Sequence, residues 1–141
     1  MAKYEELMSQ VLNLSVKDRI ELGKQTLKDT MTVLSNHGVA SNDTAYYIVN
    51  LIKLFVSADK ICSQEEYDIV RAITEVNFTK ERFIKLTKGG YDKEFVNKVY
   101  AVIDKLNLDE KKAICLFGLS ILASDEMLTK EEQDLFDRLC E

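Results

Sequence analysis

Proline is absent from the 141 residues and glycine occurs only five times. Folds made of many tight turns need both, so a β-sandwich or barrel is excluded and long helices are favoured. Histidine occurs once, as His37, so there is no second imidazole to share a metal, and no Ser-His or Cys-His pairing suggests catalysis. The three cysteines, Cys62, Cys115 and Cys140, are far apart and form no C-x-x-C pair, which supports neither a zinc knuckle nor a redox motif. They read as free thiols in a reducing cytosol. No basic stripe interleaved with aromatics exists, and the net charge is −5 with a pI near 5.0, so nucleic acid is excluded as a partner. The acidity suits a cationic partner or a solvated surface. Lys53 and Asp125 break the longest apolar stretches, and Met1–Glu6 has no apolar signal core. Neither direct membrane insertion nor export is expected, and the expected localisation is cytoplasmic.

What is present is helical periodicity on the scale of one domain, residues 1–141. Tyr4, Leu7, Met8, Val11 and Leu12 share one face of a first helix. Ser15, with Asp18 three positions on, caps a second helix carrying Ile20, Leu22, Leu27, Met31 and Leu34. Gly38 ends it, with His37 in a last turn where it can complement the helix dipole. Asp43 is the expected cap of a third helix, apolar on nearly every side from Tyr46 to Val56. Ser63 and Glu66 then form an S-x-x-E box ahead of Tyr67, Ile69, Val70 and Ile73. Asn77 closes that helix, and Thr79 caps a shorter one through Phe83, Ile84 and Leu86. Gly89-Gly90 stops it and marks a hinge. A further helix runs from about Asp92 through Phe95, Val99 and Ile103 to Leu106. Asp109 is the expected cap of a second all-apolar helix, Ala113 to Leu122. Thr129 and Glu132 repeat the capping box before Leu135, Phe136 and Leu139.

The second half of this pattern repeats the first 66 positions later, without a gap, pairing residues 43–74 with 109–140. Asp59, Glu65, Glu66 and Asp68 align with Asp125, Glu131, Glu132 and Asp134. Two helical hairpins of one design, around a pseudo-two-fold axis, are therefore expected within an all-α bundle of seven to eight helices. The acidic turns are not EF-hands. Counted from Asp59 or Asp125, Ile61 or Met127 stands where an oxygen ligand belongs, Gln64 or Lys130 replaces the glycine, and Val70 or Phe136 replaces the bidentate Glu. Glu66 and Glu132 fit reciprocal capping, and Glu65 and Glu131 suit the helix N-terminus. Asp59 and Asp125 each face the unfavourable end of a helix dipole. An Asx-type bond to the turn explains them structurally. Alternatively, the two meet across the pseudo-axis, with the glutamates alongside, as a hard-oxygen site for calcium or magnesium. A shared-proton acid/base pair is a third reading, but nothing else in the chain looks catalytic, and the protein reads as non-enzymatic.

Two segments, Ala58-Asp59-Lys60-Ile61-Cys62-Ser63-Gln64-Glu65-Glu66 and Ser124-Asp125-Glu126-Met127-Leu128-Thr129-Lys130-Glu131-Glu132, resemble the duplicated motif of the TerB-like tellurite-resistance family. The resemblance covers the whole chain and is strongest over the two repeats. It implies an all-helical fold, a stress-response accessory role, and work with protein partners in membrane-associated complexes. It also implies acidic metal ligands, which fall on Asp59, Glu66, Asp125 and Glu132. A similar domain in membrane-anchored co-chaperones suggests the alternative, a generic interaction module with no metal site. The chain departs from the family pattern at Lys60 and Glu126, where glycine is frequent, and at Ser124, where alanine is usual.

Overall fold

The computed structural model describes residues 3–55, 64–77, 79–88, 93–122 and 130–139. These form eight α-helices: α1 (Lys3–Leu12), α2 (Val16–Asn36), α3 (Ser41–Phe55), α4 (Gln64–Thr74), α5 (Lys80–Lys88), α6 (Lys93–Ile103), α7 (Leu108–Leu122) and α8 (Lys130–Leu139). No strand occurs among the described residues. The expected all-α bundle is what the chain builds.

The helix starts follow from local chemistry. Ser15 accepts the Asp18 N–H at 3.1 Å, and Thr79 accepts the Arg82 N–H at 3.2 Å, as their spacing predicts. At the end of α2, Gly38 takes a φ of +89°, and the Val39 N–H returns to the Leu34 carbonyl at 3.0 Å. That closure needs a residue free of Cβ strain. Two expected caps are corrected. α3 already begins at Ser41, with the Asp43 and Thr44 N–H groups on the Ala40 carbonyl at 2.8 and 3.1 Å, so Asp43 lies in the first turn. α7 is capped by Asn107, whose Oδ1 accepts the Glu110 N–H at 2.9 Å, and Asp109 lies inside the helix. A cap must reach the N–H three residues on, and Asn107 stands at that distance. α4 ends at Thr74, before the Asn77 expected to close it.

α7 is the axis of the bundle. It packs against α1, α2, α3, α4 and α8, with its longest seam along α2. Ile114, Cys115, Phe117, Leu119, Ser120 and Ile121 on it are all buried. The facing side of α2 overturns the expectation from hydrophobicity. Its buried residues are Arg19, Gly23, Thr26, Thr30, Val33 and Leu34, whereas Ile20, Leu22 and Leu27 are only partly covered and Met31 is exposed. Close approach explains this. A Cβ at Gly23 would lie 2.6 Å from Ile73 Cγ1 of α4 and 3.0 Å from Ser120 Oγ of α7. Small side chains line the seam, and Thr26 satisfies its hydroxyl locally on the Leu22 carbonyl at 2.8 Å. Leu12, expected on the inner face of α1, is also exposed, while Val11 is buried.

α3 differs from expectation too. Thr44, Ile48, Asn50, Leu51, Ile52 and Phe55 are buried, but Tyr46 is 50% and Val49 42% exposed. The helix is half-covered rather than enclosed. Tyr46 and Tyr47 meet Phe95 of α6 edge-on, with ring centroids 5.6 and 5.2 Å away, and Tyr46 stays half-exposed beside that contact. The inner faces predicted for α4 and α8 are as expected: Tyr67, Ile69, Val70 and Ile73, and Leu135, Phe136 and Leu139, are all buried.

Candidate functional site

The 66-residue repeat is visible in the structure. Burial follows the same register. Ile48 and Ile114, Leu51 and Phe117, Phe55 and Ile121, Ile69 and Leu135, Val70 and Phe136, and Ile73 and Leu139 are buried pair by pair. Equal hydrophobic phase in the two halves produces equal inner faces.

α3 and α7 also advance in the same direction. Leu51 and Ile114 line one small internal void. One turn further on, the Phe55 ring covers Gly118 so closely that a Cβ there would lie 2.6 Å from Phe55 Cζ. Phe55 sits edge-on to Phe117 at 6.2 Å and stacks on Phe136 of α8 at 5.5 Å. The C-terminal ends of both long helices therefore meet on one side of the bundle. Each leads into one of the acidic segments singled out in the sequence.

The four predicted ligands divide as follows. Asp59 and Asp125 lie outside the described residues, as do the caps Ser63 and Thr129 and the glycine pair Gly89-Gly90. Glu66 and Glu132 lie in the first turns of α4 and α8, and their side chains are outside the described set. What the structure brings together is the pair of helix ends that carry these segments. Among the described residues, no group of three His, Cys, Asp or Glu side chains gathers in one place. Of the three thiols, Cys115 is described, and it is buried and unbridged.

A titratable cluster that the sequence reading missed lies where α2 ends and α7 begins. Asn107 and Glu110 form a reciprocal capping box: the Asn107 N–H donates to Glu110 Oε1 at 3.1 Å, while Asn107 Oδ1 accepts the Glu110 N–H. The second carboxylate oxygen, Oε2, lies 2.9 Å from His37 Nε2. About one fifth of each side chain is exposed, His37 23% and Glu110 20%. The Asn107 N–H, and then the His37 imidazole, hold the Glu110 carboxyl below the usual glutamate range. The N-x-x-E spacing of Asn107 and Glu110 was the available signal; the partner 73 residues away was not.

One open concavity lies at the end of α4, lined by Asp68, Arg71, Ala72, Glu75, Val76 and Asn77. Arg71 donates to Asn77 Oδ1 there, and Glu75, at a φ of 58°, pairs with Lys24 at 3.4 Å. Charges of both signs alternate around it, so no ligand charge is selected. Among the described residues, no helix is long and apolar enough to cross a membrane. Neither a protein-family model, nor a curated protein, nor a solved structure matches the chain.

Proposed function

We propose that this chain is a non-enzymatic accessory protein of the TerB-like tellurite-resistance type, which acts in the stress response by binding protein partners. In this reading Asp59, Glu66, Asp125 and Glu132 offer oxygen ligands to a divalent cation, calcium or magnesium. The observation that carries it is the convergence of the C-terminal ends of α3 and α7, marked by Phe55 against Gly118. The acidic segments follow these two helix ends in the sequence. The resemblance of those segments carries the link to tellurite, and the eight-helix bundle supports it.

Calorimetric titration with calcium and with magnesium, on the wild type and on Asp59→Asn/Asp125→Asn, tests the cation. Binding heat that vanishes in the double variant is the expected result. If the wild type gives no heat with either ion, the cation is lost from the account. The second reading then stands: a helical adaptor or co-chaperone-type module without metal. The half-exposed Tyr46 and Val49 on α3 favour that module. For the resistance role, a strain lacking the protein should be more sensitive to tellurite. Unchanged sensitivity would remove that assignment and leave the module.

A further inference from the structure

We propose that the contact between His37 and Glu110 is a proton-sensitive latch, which holds the corner between α2 and α3 against the first turn of α7 when the imidazole is charged. The inference does not depend on the acidic turns. It rests on how three groups share one carboxylate. Glu110 Oε1 accepts the Asn107 N–H at 3.1 Å and so caps α7, leaving Oε2 to face His37 Nε2 at 2.9 Å. His37 is itself the C-cap of α2, its backbone N–H bonded to the Val33 and Leu34 carbonyls at 3.1 and 3.2 Å. The imidazole therefore sits at the negative end of the α2 dipole and the carboxylate at the positive end of the α7 dipole. Both dipoles favour the ionised pair.

The position gives the contact leverage. α7 is the buried axis and α2 its longest neighbour, so the latch closes one end of that seam. Gly38, at a φ of +89°, turns the chain immediately afterwards, and Val39 is half-buried beneath the corner. Other charged groups are near in sequence: Asp109 and Lys111 beside Glu110 on α7, Asp43 in the first turn of α3, and Lys105 between α6 and α7. The His37 imidazole acts on the Glu110 carboxyl both as a hydrogen-bond partner and as a charge. A charge-assisted bond is roughly twice as strong as a neutral one. Histidine is the side chain whose charge ordinarily changes between about pH 5 and 8. The bond is at full strength where the carboxylate is ionised and the imidazole protonated. A neutral ring holds the contact only with its proton on Nε2.

A double-mutant cycle with His37→Gln, Glu110→Gln and the pair, read by denaturant unfolding at pH 5.5 and pH 8, tests this. Gln at 110 keeps an acceptor for the Asn107 N–H, so the helix cap survives. The expected coupling raises the folding equilibrium constant roughly three- to tenfold at pH 5.5 and less than twofold at pH 8. Equal coupling at both pH values, or none, would overturn the latch. Should a variant fail to fold, the wild type alone decides. Its single imidazole gives one set of ring C–H resonances. The Asn107 and Glu110 amides should shift together with those resonances as the pH is varied. If they stay fixed while the ring titrates, there is no latch.

Discussion

α3 and α7 occupy the same place in the two repeats and have opposite fates. α7 is surrounded by five helices and buries Cys115 completely, whereas α3 leaves the equivalent Val49 42% exposed. Lys53 of α3 is half-exposed, and its equivalent Leu119 is fully buried. The inner faces match; the outer faces do not. Repetition of sequence therefore sets which side of a helix turns inward. The number of neighbours, supplied here by α1 and α2 from outside the repeat, decides whether the remaining side is buried as well. The matched inner faces form the core, and the helices outside the repeat determine which surface stays open.

The comparison can be broken most sharply with one charge at two equivalent positions. Cys115→Asp places an unpaired carboxylate in the core and should cost more than about 4 kcal/mol, enough to unfold a marginal domain. Val49→Asp should stay within about 1 kcal/mol of the wild type. Chemical denaturation measures both, and similar losses would mean that α3 is as enclosed as α7.

The second contrast is volume. A Cβ at Gly118 would lie 2.6 and 2.8 Å from Phe55 Cζ and Cδ1, and that ring is held between Phe117 and Phe136. Gly118→Ala should therefore destabilise by about 1–3 kcal/mol, although alanine is the better helix former. The equivalent Ile52 is a large, buried side chain in the same register. A thermal melt unchanged by Gly118→Ala would mean that Phe55 is free to move aside.

The third contrast is at the helix starts. Asn107 caps α7 with its side chain, whereas Ala40, the residue before α3 and one position out of the repeat register, has none to offer. Asn107→Ala should lose about 1 kcal/mol. Ala40→Asp should gain about 0.5–1 kcal/mol by supplying the missing acceptor. A loss from Ala40→Asp would show that the Ala40 backbone cannot present a cap.

The smallest effect is the pH dependence carried by Glu110. Its carboxyl titrates below the ordinary value of 4.5, through the Asn107 N–H first and His37 second. A lowered folded pKa stabilises the fold above the unfolded value and loses that contribution as pH falls through the folded one. Between roughly pH 5 and pH 3 the wild type should therefore lose more stability than Glu110→Gln does. Parallel acid curves would remove the carboxylate from the account.

Much of this was legible in the sequence. The absence of proline, the 3.6-residue spacing and the Ser15 and Thr79 caps give the helices, and the offset of 66 gives the matched buried positions of the two repeats. The seam between α2 and α7 was not legible. Hydrophobicity selects Ile20, Leu22, Leu27 and Met31, but helices in close approach bury Gly23, Thr26 and Thr30 instead. Smallness leaves no trace in a hydrophobic pattern. The same limit hid the open face of α3, since Tyr46 and Val49 are apolar whether or not anything covers them. The His37–Glu110 contact needed the tertiary fold, because only the packing of α2 on α7 brings the two together. The acidic turns expected around Asp59 and Asp125 lie outside the described residues.

Native-state hydrogen exchange, residue by residue along α3 and α7, tests the inequality of the two repeats most directly. Amides from Ile114 to Ile121 should exchange only through global unfolding, while those of Tyr46 and Val49 should open at least about tenfold more often through local fluctuation. Equal protection of the two helices in the free protein would contradict the account.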